Sequence, residues 1–264
     1  LMLAGLGPAG SAAPARFLQN GVTAHRGNSG EHPENTLAAF QSGIEVGADW
    51  LELDVFRTRD GVLVVTHDRT TGRVGDRDLS VPDSTYEQLK AVDVAADFRR
   101  RNRKTPEECP PAVMPRLEEV LRLVKGQQRT RVSLQPKMDC VDEAVALVDR
   151  LGMRRWVGFN DGNLAYMSRV KELAPDIPVF WDRGASDVAD DLRIARERRF
   201  EALVLRSDQV TAEKVRQIRA AGLEAGAWTV NDPAEMRRML ELGVQRIYTD
   251  YPRRLLALRA ELSR

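Results

Sequence analysis

Only two cysteines, Cys109 and Cys140, occur in 264 residues. Neither has a C-x-x-C partner or metal-ligand spacing, so a zinc reading has no support. One disulfide and two free thiols are equally consistent with them. No G-x-S-x-G is present, which removes the nucleophile-elbow serine hydrolases. No segment approaches about 20 consecutive apolar residues, so no transmembrane helix is expected. Charge of one sign is lacking too: 40 basic residues against 39 acidic ones leave a net charge of +1. That balance gives the whole molecule no field for nucleic acid or an anionic membrane. A single glycine pattern, Gly5-Leu6-Gly7-Pro8-Ala9-Gly10, satisfies G-x-G-x-x-G. It contains a proline, follows no strand and opens no helix, so no dinucleotide site is expected there.

What is present is an alternation. With 42% hydrophobic residues, the chain is long enough for one α/β barrel of about 250 residues. Strand patterns fall at 21–25, 49–55, 130–135, 156–159, 179–181, 202–206, 225–230 and 246–249. Helical patterns answer them at 35–46, 116–125, 140–151, 163–173, 187–198, 211–221, 233–242 and 253–262. Strand-then-helix units at this regularity predict a parallel sheet closed by helices, and their count predicts a (β/α)8 TIM barrel over residues 21–264.

Two stretches stand outside that rhythm. An insertion at about 70–114 follows the second strand, with a short helical pattern at 85–92 and the basic run Arg99-Arg100-Arg101-Asn102-Arg103-Lys104. It belongs on the face where barrel enzymes carry active-site loops, and the run reads as a solvated loop or as a basic rim for a phosphate-bearing ligand. Residues 1–15 are uncharged, rich in Ala, Gly and Leu, and end in Ala13-Pro14-Ala15 before Arg16. Residues 1–20 therefore read as a signal-peptide remnant or a disordered segment, and a secreted or periplasmic protein is expected, with a cytoplasmic one as the alternative.

The polar pattern is more specific than the architecture. Glu52 and Asp54 sit two apart on one strand, so both carboxylates face one way while Leu51, Leu53 and Val55 face the other. Two adjacent inward acids call for a cation. Asp60-Gly61 between apolar runs predicts a two-residue hairpin turn, which would set position 54 opposite position 67 and bring His67 beside Asp54. Upstream, His25-Arg26-Gly27 ends another apolar run, and Pro33-Glu34-Asn35-Thr36 opens a helix with Thr36 or Asn35 as its cap. Along 131–137 the same parity sends Val132 and Leu134 outward and Ser133, Gln135 and Lys137 toward the barrel axis.

These residues carry a resemblance. His25-Arg26-Gly27, Pro33-Glu34-Asn35-Thr36, Glu52-x-Asp54 and His67-Asp68 occur in the order of the glycerophosphodiester phosphodiesterase family. Leu117-Glu118-Glu119-Val120-Leu121, Trp228-Thr229-Val230-Asn231 and Tyr248-Thr249-Asp250 before Pro252 resemble its later landmarks. The likeness covers about residues 22–255, and implies the same barrel and the metal-dependent hydrolysis of small phosphodiesters to glycerol 3-phosphate and an alcohol. It also implies a divalent ion, Mg2+ or Ca2+, with Glu52 and Asp54 as ligands. The family usually presents a third carboxylate ligand, a Glu, two residues before its Lys. Here Gln135 stands at that position, one negative charge fewer, and weaker metal binding is expected.

Cleaving a phosphodiester requires neutralised phosphoryl oxygens, an activated hydroxyl and a protonated leaving alkoxide. The assignment that follows gives Glu52, Asp54 and Gln135 to the ion and Arg26 and Lys137 to the phosphate. His25 and His67 become the general acid and base, attack comes from the glycerol 2-hydroxyl or water, and Trp228 forms a wall of the substrate pocket. His32 reads as a structural histidine. Two rival readings stand beside this one: a phospholipase D-like enzyme on lysophospholipids, and a non-catalytic phosphoglycerol-binding protein motivated by Gln135.

Overall fold

Residues 21–263 are described by the structure, a computed structural model. The Ala- and Gly-rich stretch at 1–15, with its signal-like end and the Gly5–Gly10 pattern, lies outside the described residues. In chain order the elements are β1 (Val22–Ala24), α1 (Leu37–Glu45), β2 (Trp50–Arg57), β3 (Leu63–Val65), α2 (Tyr86–Lys90), α3 (Ala96–Asn102) and α4 (Leu117–Lys125). Then come β4 (Arg131–Pro136), α5 (Val141–Leu151), β5 (Val157–Asp161), α6 (Leu164–Leu173), β6 (Val179–Arg183), α7 (Val188–Arg198) and β7 (Ala202–Arg206). The chain finishes with α8 (Ala212–Ala220), β8 (Glu224–Trp228), α9 (Pro233–Glu241), β9 (Arg246–Thr249) and α10 (Pro252–Leu262).

All strands but β3 pair in parallel, and β1 pairs with both β2 and β9, which closes the ring as a (β/α)8 TIM barrel. Strand parity sorts the side chains into two apolar layers. Leu51, Leu53, Val55, Val132 and Leu134 pack between sheet and helices. Trp50, Phe180, Ala202, Val204 and Tyr248 form a plug inside the barrel, where Trp50 meets Phe180 edge-on with centroids 5.1 Å apart. Glu52 and Asp182 follow Trp50 and Phe180 by two residues, so the plug lies directly beneath the polar mouth.

The hairpin corrects one expectation. Val55 pairs with Val65 and Arg57 with Leu63, so Asp54 faces Thr66 rather than His67, and Thr66 N donates to Asp54 O at 3.1 Å. The turn is one residue longer than the Asp-Gly pair suggests. Gly61 N donates to Thr58 O, Thr58 N donates to Val62 O, and Gly61 takes a left-handed φ of 83°. This is the three-residue loop in which a tight turn is followed by a glycine in the left-handed region. His67 lies one residue beyond the pair and still enters the mouth.

A second correction concerns the insertion. The basic run is largely helical, not a loop: Arg99 to Asn102 close α3, with Arg103 left-handed at its end. Asp93 pairs with Arg99, and Asp97 with Arg100 and Arg101. Cations in a last turn suit the helix dipole. Small apolar clusters of its own anchor the insertion, with Phe56, Val64, Val81, Leu89 and Met114 in one and Ala95, Phe98 and Cys109 in the other. Cys109 and Cys140 are both buried free thiols. Among the described residues no helix is long and apolar enough to cross a membrane.

Candidate active site

Leaving β1, the chain turns sharply at His25-Arg26-Gly27. Arg26 has φ 57° and Gly27 φ 81°. A Cβ at position 27 would sit 2.7 Å from the backbone carbon of Ala39, so only glycine fits against α1. Holding Arg26 left-handed costs about 1 kcal/mol or more. The turn aims two side chains at the mouth and lets Arg26 N donate to Glu52 Oε2 at 3.0 Å. Thr36 caps α1 by accepting from Ala39 N. The other cap candidate, Asn35, instead turns inward and donates through Nδ2 to Asp54 Oδ2 at 2.9 Å.

His25, Arg26, Glu52, His67, Gln135 and Lys137 border one cavity of about 440 Å³ at the C-terminal end of the barrel, and Trp228 walls it as expected. Asp54 lies just beneath, fully buried, with Lys137 Nζ 3.7 Å from its Oδ1 and Arg26 Nε 3.5 Å from its Oδ2. His32 is not among the lining residues. The site residues expected from the sequence therefore converge on one place, from β1, β2, β3, β4 and β8.

The two histidines sit in opposite environments. His25 Nδ1 is 2.7 Å from Asp250 Oδ1, and Asp250 is itself held by Asn231 Nδ2 at 2.6 Å and Ser29 Oγ at 3.1 Å. Burial disfavours the imidazolium, yet the bond to Asp250 and the charge of Glu52 outweigh it and raise the His25 pKa. His67 Nδ1 is 2.6 Å from Asp68 Oδ1. Its pKa is lowered, first by burial and then by Arg26 and Lys137, against the pull of Asp54 and Asp68. A pair driven apart in this way is suited to acid and base roles.

Several groups in the site were not foreseen. Arg73 joins Asp68 and Glu34, and Glu34 also accepts from Arg26 Nη1 at 2.9 Å, so a chain of ion pairs runs from His67 to Arg26. Burial would raise Glu34, but the two guanidiniums outweigh it and hold its carboxyl down at about 2. Across the mouth, Gln135 Nε2 donates to Asp161 Oδ2 at 3.1 Å and approaches Asp182 Oδ2 at 3.5 Å. Burial, with Asp161 and Glu52 nearby, pushes Asp182 up to about 8 despite the hydrogen bond it accepts from Asn160. No local motif marks Asp161 or Asp182, and the motif that holds Asp250 does not say what it binds. The available signal was parity: Asp182 falls in phase with inward Phe180 at the end of its strand.

A divalent ion fits these donors. Among the described residues no three His, Cys, Asp or Glu side chains form a ready set, and Glu52, Asp54 and the Gln135 amide oxygen are the donors that would hold the ion. Asp54 Oδ1 is buried without a hydrogen bond, and Glu52, 1% exposed, is raised by burial and by Asp54. A hard cation with oxygen ligands relieves both.

The glycerophosphoryl diester phosphodiesterase family model matches residues 25–254. A glycerophosphodiester phosphodiesterase of Caldanaerobacter subterraneus is 30% identical over 245 residues, covering 90% of this chain and 96% of the relative. A crystal structure of a Silicibacter pomeroyi protein superposes with a TM-score of 0.83 at 27% identity, over 95% of this chain and 96% of that one. An Oleispira antarctica phosphodiesterase, solved in complex with the product sn-glycerol-3-phosphate, gives a TM-score of 0.78 at 25% identity, over 91% and 96% of the two chains. Since the family model runs from the end of β1 into α10, the chain belongs to the glycerophosphoryl diester phosphodiesterase family.

Proposed function

We propose that this chain hydrolyses glycerophosphodiesters to glycerol 3-phosphate and an alcohol with the help of a divalent cation, Mg2+ or Ca2+. The observation that carries the reading is the pair of oppositely perturbed histidines on one cavity with Arg26 and Lys137. Arg26 and Lys137 take the non-bridging phosphoryl oxygens, the guanidinium through its fork and the ammonium as a point charge. His67, whose neutral form is favoured, accepts the proton of the attacking water or of the glycerol 2-hydroxyl. In the second case a cyclic 2,3-phosphate forms as the alkoxide leaves, and water then opens that ring to glycerol 3-phosphate. His25, whose charged form Asp250 favours, gives its proton to the leaving alkoxide. Glu52, Asp54 and Gln135 hold the ion, which supplies positive charge against the phosphoryl oxygens when bound.

A second cavity of about 300 Å³ adjoins the first, and His25 and Arg26 border both. A phosphoryl group between them directs one alcohol arm into each cavity. Arg101 of α3 and Asn231 line the second, which gives the insertion a place beside one arm. The test is a comparison of glycerophosphocholine with lysophosphatidylcholine as substrates for chelator-treated protein resupplied with Mg2+ or Ca2+. Glycerol 3-phosphate release from the first, with little turnover of the second, is the expected result. Preference for the acylated substrate would favour the lysophospholipid enzyme, and binding without turnover the phosphoglycerol-binding protein.

A further inference from the structure

Arg73 lies between β3 and α2, in the insertion, and reaches two parts of the site at once. Its loop is a built turn. Thr71 is fully buried, its Oγ1 donates to Arg77 O at 2.7 Å and accepts from Leu79 N at 2.9 Å, and Gly75 N donates to Thr71 O at 2.7 Å. Asp97 N of α3 donates to Val74 O at 3.1 Å, which ties the loop to the rest of the insertion. The backbone on both sides of Arg73 is therefore fixed.

From that backbone the guanidinium uses all three of its nitrogens. Nη1 donates to Glu34 Oε2 at 2.8 Å, Nη2 donates to Glu34 Oε1 at 2.6 Å, and Nε donates to Asp68 Oδ2. A fork on a carboxylate sets the plane of the pair as well as its distance. Each acid then holds a second partner on the site side. Glu34 Oε1 also accepts from Arg26 Nη1 at 2.9 Å, and Asp68 Oδ1 meets His67 Nδ1 at 2.6 Å. Burial would raise Asp68, but its bonds to Arg73 and His67 outweigh it and keep its carboxyl below the ordinary value. An ionised carboxylate only accepts, so the neutral His67 ring carries its proton on Nδ1 and leaves Nε2 as the basic nitrogen. Arg73 itself borders neither cavity.

We propose that Arg73 is a positioning residue for the reaction: through Asp68 it fixes the tautomer and angle of the base, His67, and through Glu34 it fixes the guanidinium of Arg26 that takes the phosphoryl group. The inference rests on the roles given to His67 and Arg26 above. It gives the insertion a share in catalysis that is exerted without touching substrate. Without the guanidinium, Asp68 and Glu34 lose their common donor, and each is free to turn together with the group it holds. Misplacing a reacting group by about 1 Å can cost about 100-fold in rate.

Steady-state kinetics on glycerophosphocholine test this with the parent chain, Arg73→Ala, the double variant Asp68→Asn/Glu34→Gln, and the triple variant that adds Arg73→Ala to it. Arg73→Ala is expected to lower kcat/KM by about 10- to 100-fold, with kcat reduced through His67 and KM raised through Arg26. In the double variant the same substitution should change kcat/KM by less than about threefold, because the two acids through which Arg73 acts are already neutral. A second readout needs no turnover. The chain has three histidines, so 15N spectra of the imidazoles, recorded where the rings are neutral, can follow His67 alone. They should show the Nδ1–H tautomer in the parent and a mixture of tautomers in Arg73→Ala. Thermal melts of all four proteins separate these effects from damage to the fold, since a merely structural ion pair would lower the melting temperature and leave the tautomer as it was. Unchanged kcat/KM in Arg73→Ala, a full additional loss in the triple variant, or an unchanged tautomer would each overturn the proposal. A parent chain without turnover overturns the proposed function and this inference with it, whereas turnover indifferent to Arg73 overturns this inference alone.

Discussion

His25 and His67 are chemically the same residue, each with a carboxylate at Nδ1, and what separates them is how burial and charge balance around each. At His25 the bond to Asp250 and the charge of Glu52 outweigh burial, while at His67 burial, with Arg26 and Lys137, outweighs Asp54 and Asp68. A base must be unprotonated and an acid protonated, so kcat/KM should rise as pH passes the His67 value, below the ordinary 6.5, and fall as it passes the His25 value, above it. Asp250→Asn removes the support of the His25 imidazolium and should move the alkaline limb to lower pH while leaving the acid limb in place. A pH–rate profile with both limbs unmoved would assign the acid elsewhere. The two histidines were legible because each lies inside a short motif. Asp250 stood in a motif too, but nothing local said which of its neighbours it would hold, because its partner is 225 residues away.

At the scale of elements, two glycines separate two kinds of constraint. Gly61 and Gly27 both have positive φ, but a Cβ at 61 meets nothing within 4 Å while one at 27 meets the backbone of α1 at 2.7 Å. Gly61→Ala should cost about 1 kcal/mol, the conformational penalty alone. Gly27→Ala should cost more and also lower turnover, since it displaces the turn that carries His25 and Arg26. Urea unfolding of both variants checks this, and equal losses would contradict it. Barrel strands and helices were legible to within two residues because alternation and helical period are written along each of them. The hairpin register was not, since Asp60-Gly61 serves a two-residue turn and a three-residue loop equally well, and the choice shifts every pair by one. Helix α3 was missed because its sequence carries charge without apolar period. Phe98 is its buried anchor, and Asp93 and Asp97 gather the arginines.

For the whole molecule, closure of the barrel does what no segment does alone: it brings β1, β2, β4, β5, β6 and β9 to one mouth above an apolar plug. Asp161 and Asp182 acquire meaning only there, which is why the sequence left them unmarked. The fold is held by packing and not by a cross-link, since Cys109 and Cys140 are separate buried thiols. Dithiothreitol should therefore leave the melting temperature unchanged, and a fall on reduction would show a disulfide after all. The central claim is that this mouth cleaves a phosphodiester by histidine acid–base catalysis with a bound dication. Its most direct test is the rate of glycerol 3-phosphate release from glycerophosphocholine by the parent chain, His25→Ala and His67→Ala, each with Mg2+ or Ca2+ and then with excess chelator. The account predicts metal-dependent release by the parent and a loss on the order of 10²–10⁴-fold in each variant. Release that survives both substitutions, or that proceeds undiminished in chelator, would contradict it.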